Sequence, residues 1–204
     1  MGDKRVIGLL GSFCLAGQGR LGKDMVMAPS AGARVEVAGM SAGAYRLFCE
    51  LEKVAGVSRA EMIQLVSPSF NLVADLERRL RPGDWFERLT KSYVSVGVLS
   101  DLGLELCRQG FPEAFEKARG VHHDLGHAQW AAAQIKQAVG ADPALADRLS
   151  LWGRRVVGES MGVVRLCEQI YPGIFADLNI EAGTIMRPLM AMHGERMVAA
   201  GLKA

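Results

Sequence analysis

PGDWFERLTKSYVSVGVLSDLGLELCRQG, residues 82–110, is the stretch from which the fold is read. Pro82 and Gly83 stop what precedes them, and Asp84 followed three residues later by Glu87 makes the N-cap pair of a helix start. Trp85, Leu89, Tyr93, Val96, Leu99 and Gly103 then recur at three- and four-residue intervals. That spacing puts all six on one helix face. The segment predicts a helix over 85–109, closed by Gly110-Phe111-Pro112, with this stripe packed into a core.

Working upstream, Gly56-Val57-Ser58 ends one helix and Ser58-Arg59-Ala60-Glu61 caps the next. Pro68 splits that next segment in two, and Leu72, Leu76 and Leu80 mark its second half. Earlier still, 33–54 reads as a helix with Val35, Ala38, Ala42, Tyr45 and Cys49 on one face. Ala28-Pro29-Ser30-Ala31-Gly32 connects it to a first helix over 4–27, with Ser30 as cap. Downstream, 113–139 and 144–170 read as helices separated by Gly140-Ala141-Asp142-Pro143, a stop followed by a cap and a first-turn proline. Tyr171-Pro172-Gly173 ends the second, and a last helix over 181–200 carries Pro188. No run alternates like a strand, and no repeat, low-complexity tract or linker interrupts the chain. Long helices with short connections predict one all-α domain over 1–204, an antiparallel bundle with extra C-terminal helices.

Composition agrees. Half the residues are hydrophobic but only 6% are aromatic, and Met, Leu, Ala and Val fill the apolar share. Such residues build helix–helix cores rather than sheets. A net charge of +2 implies no strongly basic face, so nothing here points to nucleic acid. The four cysteines form no CxxC pair and read as small buried hydrophobes of a reducing compartment, which places the protein in the cytoplasm. MGDKR followed by VIGLLGSFCLAG has the outline of a signal peptide. However, the apolar run is too short to span a membrane, and Phe13 rather than a small residue precedes Cys14. The segment is expected to be a retained helix with Val6, Leu9, Leu10 and Phe13 on its docking side, in a protein without membrane contact.

The densest polar cluster is VHHDLGHAQW, residues 121–130, with His122, His123 and His127. On a helix Asp124 and His127, three apart, share a face, as do His123 and His127, four apart. Carboxylate-x-x-His is the half-site that di-iron carboxylate bundles repeat on two helices, so Asp124 and His127 are candidate metal ligands, with His123 as a possible addition. The competing reading is a polar helix face with hydrogen-bonded histidines. Glu159, flanked by Val156, Val157 and Met161, is either a further ligand or an exposed helix carboxylate. Other chemistries find no support. The N-terminal glycines follow no strand, Gly158-Glu159-Ser160-Met161-Gly162 lies mid-helix instead of on a nucleophile elbow, and no Walker motif exists.

The strings PGDWFERLTKSYVSVG (82–97) and DRLSLWGRRVVGES (147–160), with DLGHAQW (124–130) between them, resemble bacterial, chiefly actinobacterial, ferritin-like proteins grouped with tRNA isopentenyl-adenosine hydroxylases. APSAGARVEVAGMSAGAYRLF (28–48) is similar to that family's second helix. The resemblance implies a ferritin-like bundle holding two irons that activate oxygen. It places the ligands at a Glu on the first helix, a Glu-x-x-His on the second, an acidic residue on the next core helix and an acid-x-x-His on the one after. In this sequence the first Glu falls near Cys14, the Glu-x-x-His on Ala44 and Leu47, and the acidic residue on Val96. Only Asp124 and His127 match, and Glu159 retains a later carboxylate. No Glu-x-x-His occurs anywhere before residue 120.

The expectation is therefore a diverged member with a degenerate di-iron site, needing no cofactor and acting as a scaffold that binds a protein partner or a second copy of itself. Whether it is an enzyme stays open. The alternative is a metal-dependent hydroxylase, with iron at a site remodelled around Asp124 and His127 and tRNA as a partner by resemblance alone. A third reading has the emptied cavity, lined by Ala44, Leu47 and Val96, accepting an apolar molecule.

Overall fold

Asp3 opens the first helix by accepting the Arg5 backbone N–H, and α1 runs Lys4–Val26. Ser30 accepts from the Ala33 N–H to start α2, Ala31–Ala55, which ends at Gly56 in the left-handed conformation that glycine adopts without strain. The short connection folds the two into a hairpin, held where the Ser41 hydroxyl donates to the Gln18 carbonyl at 2.9 Å. Ser58 caps α3, Arg59–Val66, by accepting from Glu61, and Pro68 turns the chain through a 3₁₀ turn, Ser67–Ser69. α4, Ala74–Arg79, follows. The computed structural model describes residues 3–112, 115 and 126–204.

α5, Trp85–Gly110, starts at Asp84, which accepts from the Glu87 N–H as the sequence implies. It runs antiparallel to α1. At one end the Asp3 N–H donates to the Gly110 carbonyl at 2.7 Å, and at the other Arg20 Nε donates to Ser92 Oγ at 3.1 Å. α6 spans His127–Ala141, and Asp142 alone separates it from α7, Pro143–Ile170, which it caps through the Ala144 and Leu145 N–H groups. α7 runs parallel to α5. Arg148 reaches Asp84 and Glu87, and one turn on Trp152 Nε1 donates to the Glu87 carbonyl at 2.7 Å. A single turn α8, Ile174–Asp177, and α9, Ala182–Ala199, close the chain against α5 and α7.

One core cluster runs from Val6 to Leu202 and draws on α1, α2, α5, α6, α7 and α9. Packing is closest where α1 crosses the end of α3. A Cβ at Gly8 would stand 2.2 Å from the Leu65 carbonyl oxygen, so only glycine fits there. Among the described residues there is no strand, and no helix is long and apolar enough to cross a membrane.

Three sequence expectations change. The buried face of α2 is Ala33, Val37, Met40, Ala44, Leu47, Phe48 and Leu51, whereas Val35 and Tyr45 face outward. Small residues all round this helix blur the contrast between its faces, and Tyr45 is covered instead by the Arg59 guanidinium of α3. The α5 stripe is too narrow: Leu89, Tyr93 and Leu99 are buried, but so are Thr90, Lys91, Ser92, Val94 and Ser95. α5 is a central helix packed against α1, α6, α7 and α9, so most of its circumference is core. Finally, the helix over 113–139 is not continuous. Gly126 has φ 61°, and α6 begins only at His127.

Candidate functional site

Between its helices the bundle forms a partly open cavity of about 80 Å³. Its α1 wall runs from Leu10 through Phe13, Cys14 and Gly17 to Leu21. That is about 16 Å of helix rise. Ala44 and Leu47 of α2, Val96 and Leu99 of α5, and Leu76 of α4 supply most of the rest. Cys14, Ala44, Leu47, Val96 and His127, five of the positions to which the resemblance assigns metal ligands, thus lie around this one space. They come from four different helices.

Two charged side chains enter the wall at the end marked by Leu21. Arg20 lines the cavity beside Glu77, with its Nη1 2.6 Å from Glu77 Oε2. Behind them lies a buried network. Arg20 Nε donates to Ser92 Oγ, the Ser92 hydroxyl donates to Asp24, and Arg88 Nη1 stands 3.2 Å from Asp24 Oδ1. Lys91 donates to the Leu80 carbonyl at 2.6 Å and stands 3.3 Å from Glu77. Burial raises the Asp24 carboxyl above its ordinary range, against the pull of Arg20 and Arg88. Burial, with Arg20 nearby, brings the Lys91 ammonium down to about 8. Although the side chain of Arg20 is only 6% exposed, its Nη2 has no hydrogen-bond partner.

The candidate ligands fare differently. His127 is buried on the cavity wall as the first residue of α6. Asp124, His122 and His123 lie outside the described residues. Gly126, just before His127, has a left-handed backbone at φ 61°. Glu159 is not on the cavity wall. It sits on α7, about one-third exposed, with Oε2 3.3 Å from Arg79. Arg155 likewise faces away, donating to the Arg79 carbonyl and lying over the Trp152 ring.

The charged end of the cavity was not foreseen. Its trace in the sequence is Arg20 and Asp24, four apart and hence on one face of an otherwise apolar helix, with Lys91, Ser92 and Ser95 embedded in the α5 core stripe. Polar residues at core positions of a helical pattern need partners, and that is the signal that could have found them.

A family comparison fits this geometry. The model of a ferritin-like domain found in actinomycetes matches residues 3–168, from the α1 cap to the last turn of α7. The chain belongs to that ferritin-like family. α8 and α9 lie beyond the matched segment and are additions to the family's bundle. No curated protein matches the chain.

The fold implies a di-iron centre, so the donors around the cavity must be tested against one. Two irons want about four carboxylates and two histidines. The described wall offers His127, Glu77 and Cys14. Glu77 is already paired with Arg20 and Lys91, and burial pushes the Cys14 thiol up to about 12. Among the described residues no three His, Cys, Asp or Glu side chains come together as a metal-holding group. Ala44 and Val96 stand where the resemblance places carboxylates, and Leu47 where it places a histidine. These residues do not fit two irons.

Proposed function

We propose that this protein is a non-catalytic ferritin-like bundle that acts by binding, with its ancestral metal cavity reused as a pocket for a small apolar molecule. One observation carries the reading. The positions to which the resemblance assigns ligands converge on one cavity, but apart from His127 the side chains there are alanine, leucine, valine and a thiol that burial keeps neutral. An apolar cavity of this size releases poorly hydrogen-bonded water when a hydrocarbon enters it. The resemblance to tRNA isopentenyl-adenosine hydroxylases supports an origin in di-iron oxygen chemistry that this chain has left. A scaffold role toward a protein partner or a second copy is compatible with the same loss.

Thermal melts test the proposal. A ligand that binds the folded state alone raises the melting temperature by mass action. 1-Octanol should raise it, Ala44→Leu should abolish the response by filling the cavity, and a chelator should change nothing. An octanol response that Ala44→Leu leaves intact would place binding elsewhere. The metal-dependent alternative, a hydroxylase remodelled around Asp124 and His127, has one observation in its favour: His127 stands on the cavity wall. It requires the opposite pattern, a melting temperature that chelator lowers and His127→Ala makes insensitive.

A further inference from the structure

Ile185, Leu189, His193 and Met197, four residues apart, form one buried stripe along α9. Three of them are apolar and one is an imidazole. His193 is 2% exposed, and neither of its ring nitrogens has a hydrogen-bond partner among the described residues. Such a ring stays buried only while it is neutral, because an ionised group away from water costs far more than a neutral one. Burial, and then the Arg196 guanidinium one turn along the helix, hold His193 below the ordinary histidine range. The helix that carries it is held at few polar points. Arg196 Nη2 donates to Asp101 of α5 at 2.6 Å, and the Tyr93 hydroxyl donates to the Arg196 carbonyl at 3.0 Å. Apolar contact supplies the rest, closest where Met197 packs on Gly153 of α7. α9 is also weak as a helix: Pro188 inside it has no N–H to give, and no side chain caps its start. It lies beyond the segment that the family model matches.

We propose that α9 is a pH-controlled latch: protonation of His193 undocks it from α5 and α7 and uncovers the apolar seam between them. The sign follows from linkage. In the undocked helix His193 titrates near the ordinary value of about 6.5, whereas the docked ring resists the proton. Docking is therefore fully supported above about pH 6.5 and is lost as pH falls. The charged and titratable groups at this seam are Tyr93 and Asp101 of α5, Lys136 of α6 beside Gly201, Arg154 of α7, which reaches the Ala204 carbonyl, and Glu195 and Arg196 of α9 itself. Of these, Arg196 acts on His193, and its positive charge adds to the penalty on a second cation. Asp101 works in the other direction. Burial raises its carboxyl, so the docked state takes up that proton more readily and gains as pH falls.

Amide hydrogen exchange on the full chain, read by mass spectrometry at pH 7.5 and pH 5.0 and corrected for the intrinsic pH dependence of exchange, tests the latch. Protection of residues 182–199 should fall at least five-fold at pH 5.0, while that of residues 4–26 in α1 should change less than two-fold. His193→Leu, which keeps the stripe apolar and cannot take a proton, should hold the protection of 182–199 equal at the two pH values. Titration of the His193 ring, followed by NMR on the unmodified chain, should share its midpoint with the loss of protection, so the test does not depend on the variant folding. Unchanged protection of 182–199 overturns the latch. So does an equal loss in α1, which is global unfolding, or a loss that His193→Leu retains, or a ring midpoint that lies apart from the loss.

Discussion

Three cysteine side chains of this bundle are sealed in its core, and burial pushes Cys14 and Cys167 up to about 12 and Cys107 to about 11. In the unfolded chain the same thiols titrate at about 8.5. Above that pH the unfolded state therefore gives up protons that the folded state keeps, and stability falls as pH rises. Lys91 acts in the opposite direction. Held at about 8, it binds fewer protons when folded than when unfolded, and so adds stability as pH rises from there toward about 10.4. One lysine opposes three thiols, with Tyr93 and Tyr171, also raised by burial, on the thiols' side. The urea midpoint is predicted to change little between pH 8 and 8.5 and to fall clearly by pH 10, with a smaller fall in a Cys14→Ala, Cys167→Ala double variant. A midpoint that climbs through pH 10 would contradict these burials.

Among the elements, α5 is the central one, packed against α1, α6, α7 and α9 with more than half of its residues buried. Leu89 is 3% exposed near its N-terminal end. Leu89→Ala is predicted to cost about 2–5 kcal/mol, the range for an emptied core leucine, and an unchanged unfolding midpoint would show that this face is not buried. Element boundaries were legible wherever local chemistry dictates them. The caps at Ser30, Ser58, Asp84 and Asp142, and the break at Pro68, stand where the residue types place them. Faces were less legible. On α2, alanine and glycine on every side leave no strong apolar contrast, so Val35 and Tyr45 read as core although they face out. The break at Gly126 was also hidden, since a lone glycine in a helical pattern is compatible with continuation. Charges inside α1 and α5 were invisible for a different reason. Arg20 and Asp24 are four apart on α1, but Glu77 and Lys91 are distant from them in sequence, and only tertiary packing shows that these groups meet.

At the scale of the whole molecule, the ferritin-like bundle brings together positions to which the resemblance assigns metal ligands. Cys14, Ala44, Leu47, Val96 and His127 still meet around one space, because helix packing is set by the whole interface and not by a few inward residues. Apolar groups at these positions supply none of the charge that would balance two metals. The arrangement of α1, α2, α5 and α6 accounts for the site's position, and the residues on its wall account for the proposed change of use. The central claim is tested most directly by counting iron. Protein purified aerobically with excess ferrous iron, desalted and analysed for metal and visible absorption, is predicted to hold well under two irons per chain and to show no oxo-bridge band. Two tightly held irons per chain with that band would contradict the account.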